Sequence, residues 1–575
     1  MKILKVRETI KDTLLKDGDY KSIKEMLERI IKFIPNANLL AELDENKNIV
    51  YHTTTDIYND VNHLADGLIA MGLENKHIAI SADNSYLYVI ADMAISSGVG
   101  VVTPIDRDAP EELLQTLLNK CDADAIICSA YVLTKIQKIL PQCEKLKTII
   151  IMDKPVEGYP FIKDVMQEGQ KEENKGKFLA KELDLDKPAK LLFTSGTTGP
   201  NKSVILTQNN LAANMMNCLD TVTVTVGVMN TSMSVLPMHH ATEINTHIMA
   251  RIGGGQLTYI NDSMKNMMTN IKIFKPSIIT IVPMIANAFY SNIWLNAKKA
   301  GKDKLLRKGI KLCNLLDKFG INKRDKLFKD VYEPFGGNLR QIVCGGAVLN
   351  PEVVKGLKDL GIYIVNGYGI TECGPLISMN TNTFKEVYSV GKACSGLEAK
   401  IINVNEEGVG ELCVRGKCVS KGYYKDEEAT KKAFMEDGFF NTGDLAKIDK
   451  NGNIFLTGRK KNAIVLSNGK NISPEEIETE LQNIMPYCKD IVVYMAPGKN
   501  GVQVLCAGLF IEEEAVRNNH AKISEDVKAV NKIFPSYKQI QFVNLTTEEY
   551  PKTSTRKIKR DTLLNLHNFE TGIKI

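Results

Sequence analysis

The sequence predicts an α/β protein with a large N-terminal part of two parallel-sheet βαβ subdomains plus a small β-barrel or distorted sheet. Three observations carry that expectation. Short apolar runs such as residues 77–80 and 125–128 alternate with helical patterns from about Lys76 onward, and a second run of this kind begins near Ser232. Between residues 387 and 455 the segments turn short, glycine-punctuated and β-rich. A chain of 575 residues also exceeds what one ordinary core supports, so two or more domains are expected.

Taken in order, Ser22 and Glu25 form a capping-box pattern that opens an amphipathic helix through about Phe33. Residues 77–80 read as a strand, 86–97 as a helix and 99–102 as the next strand. A helix over 110–119 carries Pro110 near its first turn, and buried strands follow at 125–128 and 147–152. The second run includes strands at 277–282 and 341–344. Residues 298–329 are helical in pattern and strongly basic. They read either as a docking face for an anionic partner or membrane surface, or as a solvated helix pair, and charge runs in general favour the solvated pair. Ser473, Pro474 and the acids after them read as N-cap, first position and first turn of a later helix.

Composition narrows the function classes. A hydrophobic fraction of 44% with 25% charged residues is that of a globular protein, and a net charge of +5 is too small to suggest nucleic acid. Twelve cysteines are scattered without metal or redox spacing, which suggests a reducing compartment. The most apolar stretch, 86–105, is interrupted by Asp92, Ser96, Ser97 and glycines, and the N-terminus lacks an apolar h-region. A cytoplasmic location is expected, with peripheral membrane contact left open.

The chemistry concentrates in five motifs. Residues 194–202, Thr-Ser-Gly-Thr-Thr-Gly-Pro-Asn-Lys, lie between a strand end at 189–193 and a strand at 203–206. Glycines let backbone N–H groups approach an anion, the hydroxyls add donors, and Lys202 adds a positive charge. This is a phosphate cradle, although not a Walker A loop. Residues 366–372, Asn-Gly-Tyr-Gly-Ile-Thr-Glu, follow an apolar strand and combine a ring for a purine, a hydroxyl for phosphate and a carboxylate for Mg²⁺. A glycine turn with a packed tyrosine fits them equally well. Asp444 after Thr442-Gly443 suits a pair of ribose hydroxyls, but alone reads better as an Asx-type turn. Gly458-Arg459-Lys460-Lys461 joins two composition regimes and reads also as a linker. The basic run 551–560 reads alone as an ordinary tail.

In order and spacing, however, these motifs resemble the adenylate-forming (AMP-binding) superfamily of acyl-CoA synthetases, nonribosomal peptide adenylation domains and beetle luciferase. Within it, the stretch from Pro283-Met284 to Gly345-Gly346-Ala347 is most similar to long-chain fatty acid–CoA ligases. The resemblance implies an N-terminal AMP- and acyl-binding domain over 1–457, a hinge at 458–461, and a smaller mobile α+β C-terminal domain over 462–575. It implies ATP-dependent activation of a fatty carboxylic acid, of medium or long chain, to acyl-AMP. Transfer to CoA then gives acyl-CoA, AMP and pyrophosphate, with ATP, Mg²⁺ and CoA required. An alternative is an acyl-AMP ligase that loads an acyl carrier protein, and a third reading is a non-catalytic acyl or nucleotide binder.

Carried over by motif, Thr194, Ser195, Gly196, Thr197, Thr198, Gly199 and Lys202 would hold the β- and γ-phosphates, and Thr194 and Glu372 would bind Mg²⁺. Gly345, Gly346, Ala347, Asn366, Gly367 and Tyr368 would form the adenine site, Thr371 would contact the α-phosphate, and Asp444 the ribose with Arg459 assisting. Lys461 matches the hinge position, Gly469 a loop that approaches the CoA pantetheine, and Lys557 the lysine essential for adenylation. His240, with His239 as neighbouring alternative, matches a histidine near the carboxylate and acyl pocket. Asn201 and Ser203 depart from the family's Pro and Gly, Arg556 stands where Gly is usual, and Ile244 where some long-chain members carry a gating Trp.

Overall fold

The computed structural model describes residues 14–194, 202–226, 231–346, 349–380, 388–465, 471–497, 503–552, 558, 560 and 572–575. Two large sheets dominate the first three quarters of the chain. One has six strands in the order Thr148–Ile151, Ala125–Cys128, His77–Ser81, Val101–Pro104, Pro188–Phe193 and Ser203–Thr207, all parallel except the last. The other has nine, with Tyr363–Gly369, Gln341–Gly345, Ile278–Ile281, Ser232–Ser234, Thr258–Ile260 and Asn38–Leu43 parallel in its centre and antiparallel strands at its edges.

Strands such as Ala125–Cys128 and Ile278–Ile281 are buried at every position. Such strands need cover on both faces, which is why they read as unbroken apolar runs. Helices Ile23–Phe33, Thr54–Ala70 and Tyr86–Ala94 share one core with residues of both sheets, among them Ile78, Leu192, Val365 and Met379. Separate cores cover the outer faces, around Leu114, Leu118 and Ile136 on the first sheet and around Ile271, Ala286 and Leu357 on the second.

Local rules place most elements where the sequence puts them. Ser22 accepts from the Glu25 N–H, and the helix runs Ile23–Phe33. The reciprocal arm of the capping box differs, because the Glu25 carboxylate takes the Lys21 N–H at 2.8 Å. The helix expected to reach Ser97 ends at Ala94 and continues as one π-turn, Ile95–Val99. Gly98 sits there at φ 142°, and the Gln208 side-chain amide takes the Ser96 carbonyl. The following strand therefore starts at Val101, two residues later than expected. Pro110 is the N-cap rather than the first helical residue of Glu111–Lys120.

Where a small barrel or distorted sheet was expected, the described residues form an antiparallel sheet of four strands, Leu397–Ile402, Gly410–Gly416, Phe440–Ile448 and Ile454–Arg459. Its strands are neighbours in sequence order and the outer pair does not meet; the first and last connections are short, whereas the link from Gly416 to Phe440 is long and holds the helix Glu427–Ala433. After residue 471, helices Pro474–Ile484 and His520–Asn531 pack on a sheet of Asp490–Pro497, Gln503–Phe510, Phe542–Thr546 and Ile573–Lys574 around their own core.

Candidate active site

The strand pair Pro188–Phe193 and Ser203–Thr207 carries the glycine-rich loop. Phe193 pairs with Ser203, and the Thr194 N–H donates to the Lys202 carbonyl at 3.0 Å, so the hairpin stays paired to its mouth. Ser195, Gly196, Thr197, Thr198 and Gly199 lie outside the described residues. The Lys202 Nζ stands 4.5 Å from the centroid of the Tyr423 ring, within cation–π range. Tyr423 Oη donates to Glu372 Oε1 at 2.9 Å. Burial and the Glu372 charge together raise the Tyr423 pKa, which keeps the phenol a proton donor.

Nothing in the sequence singled out Tyr423. It reaches the site because residues 422–424 pair along the edge of the Ser203–Thr207 strand: the Ile205 N–H donates to the Gly422 carbonyl and the Tyr424 N–H to the Ser203 carbonyl. Such a contact spans more than two hundred residues and has no local signal. The Ser420 N–H likewise donates to the Glu372 carbonyl at 2.7 Å and ties the 3₁₀ turn Thr371–Cys373 to the same segment.

Asn366, Gly367 and Tyr368 lie on the strand Tyr363–Gly369. Gly369 has to be glycine, since a Cβ there would meet the Pro375 carbonyl oxygen at 2.1 Å. Tyr368 Oη donates to Asp444 Oδ2 at 2.5 Å, and Arg459 Nε approaches Asp444 Oδ1 at 2.7 Å. Burial first, and then Asp444, push the Tyr368 phenol well above its usual range. Asp444 sits in a local turn: its N–H donates to Thr442 Oγ1, and the Gly443 N–H donates to Asn441 Oδ1. The Asx-type turn is thus made by Asn441, while the Asp444 carboxylate meets Tyr368 and Arg459. A second carboxylate, Glu411, was not anticipated. It accepts from Lys460, Asn441 and Asn403. Burial opposes its ionisation, but these donors outweigh burial and hold it below the usual carboxylate range.

A cleft of about 3280 Å³ gathers these groups. Thr194, Lys202, His240, Gly345 and Gly346 line it, as do Asn366, Gly367, Tyr368, Thr371 and Glu372. Asp444, Arg459 and Lys461 line it too. Ala347, Gly469 and Lys557 lie outside the described residues. His240 lines the cleft with its ring 4.1 Å from that of His239. Burial lowers the His239 pKa to about 4, so that ring is neutral at neutral pH. Ile244, at the place of the expected gate, is fully buried in the central core.

An inner recess of about 100 Å³ continues behind Gly345 and Gly367 and is bounded by Thr246, His247, Ala250 and Arg251. Beside it, Glu243, His247, Ser232 and Thr258 form a chain of buried hydrogen bonds of 2.9–3.0 Å. In sum, one end of the cleft offers an aromatic ring and a carboxylate, as a nucleoside needs. The other offers a lysine, hydroxyls and a carboxylate, as a polyphosphate with a divalent cation needs.

The model of the AMP-binding enzyme family matches residues 40–424, and that of the AMP-binding enzyme C-terminal domain matches residues 461–574. The chain is 27% identical over 625 residues to "Long-chain-fatty-acid--CoA ligase 5" of Mus musculus, covering 97% of this chain and 88% of that protein. It is 26% identical to the chloroplastic "Long-chain-fatty-acid--[acyl-carrier-protein] ligase AEE15" of Arabidopsis thaliana, covering 74% of this chain and 68% of that protein. Among solved structures, the anthranilate CoA ligase AuaEII in complex with anthranoyl-AMP shares the fold, with a TM-score of 0.77 at 18% identity over 95% of this chain and 96% of that one. With two thirds of its length matched by one family model and the C-terminal remainder by its partner domain, the chain belongs to the AMP-binding enzyme family.

Proposed function

We propose that the protein is an acid–thiol ligase acting on fatty acids. In the first half-reaction a carboxylate oxygen attacks the α-phosphorus of ATP, giving acyl-AMP and releasing pyrophosphate. In the second, the CoA thiol attacks the acyl carbon, giving acyl-CoA and releasing AMP. The observation that carries this reading is the convergence of the Lys202–Tyr423–Glu372 line and the Tyr368–Asp444–Arg459 line on one cleft. The names of the relatives supply the acid class.

In this reading Tyr368 faces the adenine and Asp444 the ribose diol, each holding the other in place. Thr194 and Lys202 grip the outer phosphates, and Thr371 reaches the α-phosphate. Glu372 and Thr194 suit Mg²⁺, which typically takes one or two protein oxygens and completes its shell with phosphate oxygens and water. The ion would supply neutralising charge at the phosphates. The described residues hold no cluster of three or more His, Cys, Asp or Glu that would bind a metal by themselves. His240, which lines the cleft, would face the carboxylate, and the recess behind Gly345, at about 100 Å³, would take only the first part of the acyl chain. The chain divides into 1–457, a hinge at 458–461 and a mobile 462–575 that carries Lys557 and Gly469 to the site in turn.

Carboxylate-dependent exchange between ATP and pyrophosphate tests the first half-reaction, and thioester formation with free CoA tests the second. Exchange that fails for every acid from acetate to long-chain and aromatic members would leave a binding role. The Arabidopsis relative favours one alternative acceptor: loading of acyl carrier protein without any CoA thioester would select it.

A further inference from the structure

The helices that follow the cleft's apolar wall carry an unusual surface. Residues 298–329 hold twelve Lys and Arg against three Asp and Glu, whereas the whole chain is only +5, so the rest of the molecule is net acidic. Two of those three acids are already taken: Asp317 pairs with Arg324 at 2.7 Å and Asp325 with Arg340 at 2.9 Å.

The same segment exposes large apolar side chains. Helix Asp303–Asp317 buries only Cys313. Leu305 is 67% exposed, Leu312 47% and Leu315 52%, and Phe319, just past the helix, is 73% exposed. Leu305, Leu312 and Phe319 recur every seven residues, and Leu315 lies one turn from Leu312, so they fall on one side of the helical path. Helices on a globular core turn that stripe inward. Here it meets solvent, and the exposed Lys304, Lys308, Lys311 and Lys318 stand beside it.

We propose that this face docks on an anionic lipid bilayer. Leu305, Leu312, Leu315 and Phe319 enter the boundary between headgroups and acyl chains, while the lysines pair with headgroup phosphates. Charge complementarity selects an anionic partner. The apolar stripe selects a lipid surface over an acidic protein, which would use the lysines and leave the leucines in water. The patch is also continuous with the cleft, because Leu305 and Leu327 line it together with the exposed Met264, Met268 and Met284. An apolar path thus joins the docking face to the site. The solvated helix pair favoured by the charge run alone does not account for these leucines.

Binding is read without ATP or acid, so its outcome is independent of the ligase reading. The protein is sedimented with vesicles of phosphatidylcholine alone and of phosphatidylcholine mixed with phosphatidylglycerol. Trp294, the chain's single tryptophan, is the second reporter, since it packs within this layer against Tyr290 and under Arg307 at 4.6 Å. Binding to the anionic vesicles, weakening with salt and shifting Trp294 emission, is the expected result. Leu312→Ser/Leu315→Ser/Phe319→Ser and Lys304→Glu/Lys308→Glu/Lys311→Glu each reduce it by about tenfold or more. All six positions are exposed, and circular dichroism checks that both variants are folded. Equal affinity for the two vesicle types, or binding that both variants retain, overturns the proposal. Binding of acyl carrier protein that both variants lose, with no vesicle binding, assigns the face to a protein instead.

Discussion

Tyr423 shows how much one unheralded side chain matters. Its hydroxyl holds Glu372 and its ring sits beneath Lys202, so Tyr423→Phe removes the hydrogen bond and keeps the ring. A bond to a charged partner contributes about 1.5–3 kcal/mol, and a roughly 10- to 100-fold fall in ATP–pyrophosphate exchange is expected. An unchanged exchange rate would show that Glu372 needs no holding. Asp444→Asn keeps the shape of the ribose carboxylate but loses its charge toward Arg459. The expected result is a KM for ATP raised by roughly the same factor, with kcat much less affected. His239 makes a pH prediction. Its folded pKa of about 4 lies below the ordinary value of 6.5, so between those limits the unfolded chain binds more protons and stability rises with pH. The contribution is complete above about pH 6.5 and lost as the pH falls to about 4, for a total of about 3 kcal/mol. Denaturant midpoints of His239→Gln should therefore change less between pH 4 and 7 than those of the parent.

Among the elements, the strand Pro188–Phe193 is fastened to the helix Tyr86–Ala94 by charge as well as packing. Lys190 Nζ lies 2.7 Å from Asp92 Oδ1 and 2.8 Å from Asn245 Oδ1, with both charged side chains wholly buried. This strand leads into the phosphate loop, so the pair fixes the loop's base. Lys190→Ala leaves a buried, uncompensated carboxylate and should cost about 3–5 kcal/mol. Lys190→Met/Asp92→Leu should restore most of that stability in denaturant titrations, and a double variant no better than the single would mean that the loss is one of packing. At the recess, Ala250→Phe narrows the chamber assigned to the acyl chain. Activity with long acids should fall well below activity with short ones, and an equal fall for both would move the acyl chain elsewhere.

On the scale of the whole molecule, the later residues have a core of their own, apart from the sheet that carries Asp444. The residues around Leu481, Leu505 and Val527 form their own cluster, whereas Asp444 and Tyr368 sit with the preceding sheet. Among the described residues, Lys538 reaches Glu407 of the preceding part at 3.8 Å and Tyr537 Oη donates to the same carboxylate at 3.2 Å. In the proposed two-step reaction, Lys557 on a mobile later unit would serve one half-reaction and withdraw for the other. Lys557→Ala should abolish adenylation while preformed acyl-AMP is still consumed with CoA. Equal loss of both half-reactions would contradict the moving unit. No helix among the described residues is long and apolar enough to cross a membrane.

The sequence by itself determined the α/β class, most strands, the helix starts and the positions of the chemistry-bearing motifs. These are legible because periodicity, caps and glycine turns act over a few residues. It left open whether Asp444 was only an Asx turn and whether the 366–372 run was only a packed tyrosine, since each motif alone has an ordinary structural use. Tertiary structure sets Tyr368, Asp444 and Arg459 in mutual contact, which neither motif records by itself. It alone disclosed Tyr423, Glu411 and the buried Lys190–Asp92 pair, and it alone turned Leu305, Leu312 and Phe319 outward. The physical reason is the same in each case. Burial and hydrogen-bond partners are set by residues tens to hundreds of positions apart, and no local pattern records which distant side chain will arrive.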